Sequence, residues 1–294
     1  MSAIAILLTD GESINEHILI KSFNYLKKSN IKKIFFIGDK KIFTKVYKKS
    51  KSKKISFIDI SLKNSNYFKY LNSITDLSIE MLQDKKINVI INMPLNKKKF
   101  LKNKFDGYTE FFSSKLNQLG QENMLLYNKN FSVLPLTTHL KLKDVSKQIK
   151  KDKIDRAIIN VYNFFKKIIK KKMSIKVLGL NPHAGIDLNN SEEKKFIVPI
   201  LTKLKKKISN LEGPISADTA FIKNNKNTIF VGMYHDQVLP VFKAICKFDG
   251  INITIGLKYL RLSPDHGVGT TISKNNLINN KSFLNCIKFC EKFI

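Results

Sequence analysis

Tryptophan is absent from this 294-residue chain, and arginine occurs only at Arg156 and Arg261. Lysine supplies 51 of the 53 basic residues, and the formal net charge is +30. Base readout and bidentate phosphate recognition favour the planar fork of arginine. The positive charge is therefore typical of lysine side chains spread over a solvated surface. We do not expect a nucleic-acid partner. Charge-driven binding to nucleic acid is a less favoured alternative. Because arginine is rare here, the presence of Arg261 is informative.

Cysteine and long apolar runs are also scarce. Cys246, Cys286 and Cys290 form no CxxC pair, and a reduced cytoplasmic compartment is the simplest interpretation of this odd number. No apolar run approaches the roughly 20 residues that a membrane helix needs. The first residues, MSAIAILLTDG, lack the basic region of a signal peptide. We therefore expect a cytoplasmic protein with no membrane partner.

Short apolar runs alternate with helical patterns along the whole chain, which predicts βαβ units and an α/β fold. The strand-like runs include AIAILLT, KKIFFIGD, ISFIDI and NVIINMP in the first half, and FSVLPLTT, IKVLGL and TIFVGMY in the second. The first helical pattern covers 15–27 and places Ile18, Leu19, Phe23 and Leu26 on one face. We expect a domain boundary near residue 130 and a last helix over 282–293 that packs on the first half.

Three of the five histidines directly follow strand-like runs, namely His139, His183 and His235. Side chains at strand ends carry function in open α/β sheets, and imidazole is both the commonest metal ligand and a proton carrier near neutral pH. Each histidine alone is more simply a hydrogen-bonded loop residue. Together they predict a site, which would suit Zn²⁺ or a similar divalent ion, with Asp236 as an orienting group or a base. Their spacing matches no local metal motif.

Longer sequence motifs around these histidines connect the chain to a known family. They are, in chain order, PLNK, LTTHLKLKDVSKQI, GLNPHAG, GPISADTAF, MYHDQVLPVFK, NITIGL and YLRLSPDHG. From about Asn92 to Gly267 this series resembles the signature of the 4-hydroxythreonine-4-phosphate dehydrogenase (PdxA) family.

The resemblance implies a two-domain isocitrate/isopropylmalate-dehydrogenase-like α/β fold with its active site in the interdomain cleft. The first domain would comprise residues 1–130 and about 270–294. The second, 131–269, would carry the histidines and the contacts of a homodimer with a shared active site. The resemblance also implies NAD-dependent oxidation of 4-phosphooxy-L-threonine, a small phosphorylated hydroxy amino acid. Decarboxylation to 3-amino-2-oxopropyl phosphate would follow, in pyridoxal 5′-phosphate synthesis.

The same resemblance implies roles for individual residues. His139, His183 and His235 would bind a divalent metal (Zn, Mg or Co), with the third histidine supplied by the partner subunit. Lys243 and Asp236 would be catalytic, and NAD would bind near the segment from Asn181 to Glu193. The residues that match substrate-binding positions are Tyr108, Thr109, Lys243, Asn252 and Arg261. A phosphate and a carboxylate need such cations and hydrogen-bond donors.

Three departures from the family pattern keep alternatives open. The family's Gly-His-Thr-Glu word reads GYTE here, so Tyr108 replaces a substrate-contacting histidine and cannot carry positive charge near pH 7. The amino-terminal glycine-rich word is shortened to GESINEH, and IDLNNSEE lacks glycines that would let the backbone approach NAD. A related dehydrogenase of another phosphorylated hydroxy acid, such as a four-carbon sugar-acid phosphate, is the first alternative. A binding protein without turnover is the second.

Overall fold

The computed structural model describes residues 2–222, 226–269 and 278–294, and the strands and helices within them alternate along most of the chain. The strands are β1 (Ala3–Leu7), β2 (Lys33–Gly38), β3 (Ile55–Asp59), β4 (Val89–Asn92), β5 (Asn123–Tyr127), β6 (Phe131–Thr137), β7 (Ser174–Leu178), β8 (Leu211–Ile215), β9 (Thr228–Tyr234), β10 (Ile251–Ile255) and β11 (Leu260–Pro264). The α-helices are α1 (Asn15–Lys28), α2 (Thr44–Lys49), α3 (Tyr67–Gln83), α4 (Lys97–Leu101), α5 (Tyr108–Lys115), α6 (Leu142–Gln148), α7 (Lys151–Phe164), α8 (Val198–Lys205), α9 (His235–Cys246) and α10 (Lys281–Phe293).

The chain divides into two compact units. The first unit comprises Met1–Gly120, Phe248–Ile253 and Leu257–Ile294, and the second comprises Gln121–Lys247 and Thr254–Gly256. This division differs from the expected one in two places. β5 belongs to the second unit because it forms an antiparallel pair with β6. β11 belongs to the first unit because it pairs in parallel with β4, so Arg261 lies in the first unit rather than the second.

In the first unit the strands lie in the order β3-β2-β1-β4-β11-β10. β1 pairs in parallel with both β2 and β4, and β2 pairs in parallel with β3. Every residue of β4 is buried, as expected for a parallel strand covered on both faces. The predicted strands KKIFFIGD, ISFIDI and NVIINMP are all present.

The first and last helices of the chain pack together in the first unit. The predicted face of α1, made by Ile18, Leu19, Phe23 and Leu26, is buried. The Tyr25 hydroxyl donates a hydrogen bond of 2.7 Å to Oε2 of Glu291 in α10. The predicted last helix therefore exists and lies against α1.

In the second unit the strands lie in the order β5-β6-β9-β7-β8. β9 pairs in parallel with both β6 and β7, and β7 pairs in parallel with β8, whereas the edge pair of β5 and β6 is antiparallel. The core includes Val133, Phe230 and Phe242, all fully buried. α7 ends at Phe164, and the chain continues as a π-helical turn over Phe165–Ile169.

None of the helices in the described part of the chain is long and apolar enough to cross a membrane. The three cysteines are free thiols, and all are buried. Burial raises the pKa of Cys286 well above its ordinary value, so this thiol is protonated and unreactive near neutral pH.

Candidate active site

Two of the three predicted histidines meet in the second unit, at the carboxyl ends of neighbouring strands. β6 and β9 pair in parallel with Thr137 opposite Tyr234, so His139 and His235 follow the sheet at the same edge. Their ring centres lie 6.0 Å apart, with the ring planes inclined by 40°. The Thr137 hydroxyl donates a hydrogen bond of 2.8 Å to the Met233 carbonyl, which fastens the two strand ends together.

Asp236 contacts the ring of His235. Its Oδ1 lies 2.5 Å from Nδ1 of His235, and its carboxylate is otherwise exposed. A carboxylate that accepts a hydrogen bond from Nδ1 fixes the tautomer and orientation of an imidazole. Nε2 of His235 is then the nitrogen that can bind a metal ion.

A surface pocket of about 350 Å³ lies beside this histidine pair. Its lining combines apolar side chains with two imidazoles, two threonines and a carboxylate. The lining residues are Thr137, Thr138, His139, Leu140, Leu142, Val145, Tyr234, His235 and Asp236. The volume falls in the range of small-molecule sites, so a metabolite with polar groups can be accommodated next to the two histidines.

Another pocket of the second unit has different chemistry. It measures about 360 Å³ and lies at the amino-terminal ends of β7 and β8, whereas the histidines follow the carboxyl ends of strands. Its polar lining consists mostly of lysine side chains, and Lys166, Lys170, Lys171, Lys172 and Lys207 contribute to it. Because it contains none of the predicted site residues, we place the candidate site at the histidine pair.

His183 lies apart from the pair. It is exposed and sits in the 3-10 turn Pro182–Gly185 with a left-handed φ of 50°. The pKa of Asp218 is lowered by a hydrogen bond from Ser216 and also by His183. Across 2–222, 226–269 and 278–294, no group of three or more His, Cys, Asp or Glu side chains is arranged to hold a metal ion. One chain therefore brings together two of the three histidines.

The His139–His235 pair itself fits a divalent ion. Two imidazoles bound to one ion through bonds of about 2.1 Å have ring centres about 5 to 6 Å apart, and the observed separation is 6.0 Å. Imidazole nitrogen suits Zn²⁺ better than Mg²⁺, which prefers oxygen ligands. The pair can supply two ligands to a divalent ion, and the other ligands of that ion would have to come from other groups.

Glu193 organises the segment predicted to bind NAD. It is buried, and its Oε1 accepts hydrogen bonds from the backbone N–H groups of Leu180 and Asn181 at 2.7 and 2.8 Å. Burial alone raises the pKa of Glu193, but hydrogen bonds from Asn181 and Leu180 outweigh burial and hold this pKa below its usual value. Gly185 has a φ of +65°, and a Cβ there would lie 2.3 Å from Oε2 of Glu193. The turn therefore requires glycine.

Gln237 links the strand end before His183 to the helix that begins with His235. Its side-chain N–H donates to the Gly179 carbonyl at 2.7 Å, and its Oε1 accepts from the Met233 N–H at 2.7 Å. Sequence reasoning missed this residue. The only signal was its place inside the matched segment MYHDQVLPVFK, because the contact with Gly179, 58 residues away, depends on tertiary structure. Lys243 follows in the second half of α9 and is half-buried.

Arg261 is the centre of a buried polar group in the first unit. It is 3% exposed, and the parallel register of β11 on β4 sets it opposite Ile90. Its Nε donates to Oδ1 of Asn92 at 2.5 Å, and Nη1 donates to the Thr109 hydroxyl at 3.4 Å. Burial lowers the pKa of Arg261 to about 10, which leaves the guanidinium charged at neutral pH. Asn92 was not among the predicted site residues.

Tyr108 begins α5 and is buried beside Arg261. The guanidinium carbon of Arg261 lies 5.1 Å from the centre of the Tyr108 ring. The Tyr108 hydroxyl is hydrogen-bonded to the Thr75 hydroxyl at 2.9 Å. Burial raises the pKa of Tyr108 to about 12, so the phenol is neutral at pH 7. Thr75, in α3, is a third residue, after Gln237 and Asn92, that was not among the predicted site residues.

Asn252 lies half-buried in β10. Its Oδ1 is shielded from solvent and accepts no hydrogen bond from any residue that the structure describes. Buried polar atoms in native proteins almost always have a partner. This oxygen therefore indicates a partner outside the described residues, as a bound ligand would supply.

Comparisons with known proteins place these residues in a family. The sequence model of the family described as pyridoxal phosphate biosynthetic protein PdxA matches residues 6–290. A 4-hydroxythreonine-4-phosphate dehydrogenase of Sulfurihydrogenibium sp. is 32% identical over 98% of this chain and 97% of its own. That of Aquifex aeolicus is 36% identical over 71% of this chain and 66% of its own. A D-threonate 4-phosphate dehydrogenase of Cupriavidus necator is 30% identical over 75% of this chain and 67% of its own.

Solved structures show the same fold. The crystal structure of 4-hydroxythreonine-4-phosphate dehydrogenase from Klebsiella pneumoniae superposes with a TM-score of 0.80 at 22% identity, covering 99% of this chain and 97% of that one. A β-decarboxylating dehydrogenase from Thermococcus kodakarensis gives a TM-score of 0.52 at 8% identity, covering 97% and 81%. The predicted α/β fold is therefore confirmed. With a family match that spans nearly its whole length, the chain belongs to the pyridoxal phosphate biosynthetic protein PdxA family.

Proposed function

We propose that this protein oxidises 4-hydroxythreonine 4-phosphate with NAD and then decarboxylates the product to 3-amino-2-oxopropyl phosphate, for pyridoxal 5′-phosphate synthesis. One observation carries the proposal at the level of the site. His139 and His235, from two separate words of the family signature, lie with ring centres 6.0 Å apart beside a pocket of about 350 Å³. The names of the relatives supply the substrate.

Binding of the anionic and polar parts of the substrate is assigned to Arg261, Thr109 and Asn252. Arg261 offers a guanidinium that stays charged although it is buried, and charge-assisted hydrogen bonds to phosphate or carboxylate are strong. Thr109 contributes a hydroxyl in contact with Arg261. Asn252 contributes a shielded side-chain oxygen that can accept a hydrogen bond from a substrate hydroxyl or amino group.

Metal binding and proton transfer are assigned to the three predicted histidines and to residues of α9. His139, His183 and His235 are the proposed ligands of a divalent ion (Zn, Mg or Co), which would act as a Lewis acid on the substrate oxygen. Asp236 holds the ring of His235 through Nδ1. Lys243, on the same helix, is the proposed group that binds the substrate and exchanges a proton with it.

The overall reaction balances in two steps. In the first, a hydride passes from the substrate carbon to NAD, and the hydroxyl proton passes to a protein base. In the second, the bond to the carboxylate breaks, carbon dioxide leaves, and the remaining carbon takes up a proton. We assign NAD binding to the segment from Asn181 to Glu193, which Glu193 holds in a defined turn.

We further propose a cytoplasmic homodimer in which subunits share the active site and one histidine ligand comes from the partner subunit. This arrangement is supported by the family membership. A second observation supports it. Within the described residues of one chain, His139 and His235 are the only two of the three predicted histidines that lie together.

The test is an assay of purified protein with 4-hydroxythreonine 4-phosphate, NAD and Zn²⁺, Mg²⁺ or Co²⁺ in turn, following NADH and carbon dioxide. We expect both products in equal amounts, and we expect Arg261→Lys to raise KM about tenfold or more because a lysine cannot form the bidentate fork. Arg156→Lys, at the only other arginine, is the matched control and should behave as wild type. Substrate binding without any NADH formation would instead identify a binding protein that has lost turnover.

A second candidate is a dehydrogenase of D-threonate 4-phosphate. Two observations favour it: Tyr108 occupies a substrate-contacting position where the family has histidine, and one relative carries this name. The two substrates differ in having a hydroxyl or an amino group beside the carboxylate. Comparison of kcat/KM for both decides between them, and activity with D-threonate 4-phosphate alone would contradict our first proposal.

A further inference from the structure

Arg261 carries a buried positive charge, and the side chains in contact with its guanidinium group determine the orientation of that group. A cation taken out of water is costly unless its N–H groups and its faces find compensating contacts. The edge contacts are made by Asn92 and Thr109, both through neutral oxygen atoms. The face contact is made by the ring of Tyr108, at 5.1 Å from the guanidinium carbon.

The ring of Tyr108 is itself held on several sides. Its hydroxyl is hydrogen-bonded to Thr75 at 2.9 Å. Its ring packs edge-on against Phe111 at 5.6 Å and stacks on Phe112 at 6.3 Å. Tyr108 is 6% exposed. The hydroxyl and the ring of Tyr108 are therefore occupied by contacts with side chains of the protein interior.

We propose that Tyr108 is a positioning residue that acts through Arg261, holding the guanidinium against Asn92 and Thr109 while Thr75 anchors the phenol. In the family pattern this position belongs to a histidine that contacts substrate. In this chain the direct contact is replaced by a cation–π contact with the arginine. The substrate that Arg261 then binds rests on the function proposed above, but the positioning itself does not.

Charge explains why tyrosine suits this place. Burial raises the pKa of Tyr108 to about 12, so its ring stays neutral at any physiological pH. The electron-rich face attracts the guanidinium, whereas a protonated imidazole would place a second positive charge beside it. Arg261 therefore carries the positive charge of this group at neutral pH.

The chain offers a direct spectroscopic test, because it contains only two arginines. Protein labelled with 15N-arginine should give two Nε–H resonances, and Arg156→Lys identifies which one belongs to Arg261. Tyr108→Leu removes the ring, so we expect the Arg261 resonance to shift and its hydrogen exchange to accelerate. Tyr108→Phe and Thr75→Val keep the ring and remove one hydroxyl, so we expect smaller changes of equal size, which do not add in the double variant.

The matched control is Tyr67→Leu. Tyr67 is in the same unit and also faces a cation, with Nζ of Lys99 at 4.1 Å from its ring centre, but it does not belong to the Arg261 group. This variant should leave the Arg261 resonance in place. Thermal unfolding of each variant shows whether it is folded.

Kinetics give the second readout. A cation–π contact between desolvated groups corresponds to a change of roughly 2- to 30-fold in an equilibrium constant. We expect Tyr108→Leu to raise KM about fivefold within that range and to leave kcat within about twofold, since uniform binding is lost. In an Arg261→Lys background the same substitution should change KM by less than about twofold.

Two outcomes would overturn the proposal. An Arg261 resonance that is unmoved by Tyr108→Leu would show that the ring does not position the guanidinium. A KM effect that persists in the Arg261→Lys background would show that Tyr108 contacts the substrate itself. Wild-type protein that forms no NADH would count against the proposed function only, because the resonance of Arg261 reports the positioning without substrate.

Discussion

The imidazole rings of His139 and His235 lie with their centres 6.0 Å apart at the ends of two strands that are neighbours in the sheet and distant in sequence. The parallel register of β6 on β9, with Thr137 opposite Tyr234, produces this pair. A shift of that register would separate the rings, so the candidate metal site depends directly on strand pairing.

Removal of either ring should abolish tight metal binding. We expect His139→Ala and His235→Ala to lower the Zn²⁺ content of purified protein to near background, as measured by inductively coupled plasma mass spectrometry. Asp236→Asn keeps both rings and weakens the orienting contact, so we expect about a tenfold loss of Zn²⁺ affinity. His17→Ala, outside the candidate site, is the control. Full zinc content in His235→Ala would rule out this histidine as a ligand.

Mixed dimers should reveal whether subunits share the site. We expect each of His139→Ala, His183→Ala and His235→Ala to be inactive alone. If one ligand comes from the partner subunit, two of the three pairwise mixtures should recover about a quarter of wild-type activity after subunit exchange. The histidine common to both recovering mixtures is then the one supplied by the partner. Recovery in no mixture would mean that all three ligands come from one chain.

Glu193 should stabilise the protein in a pH-dependent way. Its folded-state pKa lies below the usual value of an unfolded glutamate, because hydrogen bonds from Asn181 and Leu180 outweigh the effect of burial. A group with a depressed folded pKa contributes stability above its unfolded pKa of about 4.3 and loses that contribution as the pH falls through its folded pKa. At about pH 7 we therefore expect Glu193→Gln to lower the free energy of unfolding by about 2 kcal/mol.

Urea unfolding at a series of pH values measures this effect. The difference between wild type and Glu193→Gln should shrink as the pH falls below about 4. Glu212→Gln removes an exposed carboxylate in the same unit and should cost less than about 0.5 kcal/mol. A difference that stays constant from neutral to acidic pH would mean that the charge of Glu193 is not what holds the turn.

Gln237→Leu should destabilise the second unit. The substitution keeps a similar volume but leaves the Gly179 carbonyl and the Met233 N–H without the hydrogen bonds seen here. Each unsatisfied buried backbone group costs about 1 to 3 kcal/mol, so we expect a loss of at least about 2 kcal/mol in urea unfolding. Gln83→Leu, at an exposed helix end, is the control. Equal stability of the two variants would contradict the linking role of Gln237.

The amino-acid sequence by itself determined the class of fold and most of its elements. Continuous apolar runs such as that of β4 predict buried parallel strands, and the spacing of Ile18, Leu19, Phe23 and Leu26 predicts the buried face of α1. These features are local, because hydrophobic periodicity within one element reports which of its faces is covered. The same locality let the sequence place three histidines just after strands.

Tertiary structure alone decided which of these side chains meet. Pairing of β11 with β4 sets Arg261 in the first unit, where it contacts Asn92 and Thr109, although the family resemblance implied the domain 131–269 for this residue. The same packing turns the Tyr108 hydroxyl to Thr75, whereas sequence reasoning assigned it to a substrate. Strand order and register between distant segments are set by the burial of whole elements against each other, and no local window of the sequence contains that information.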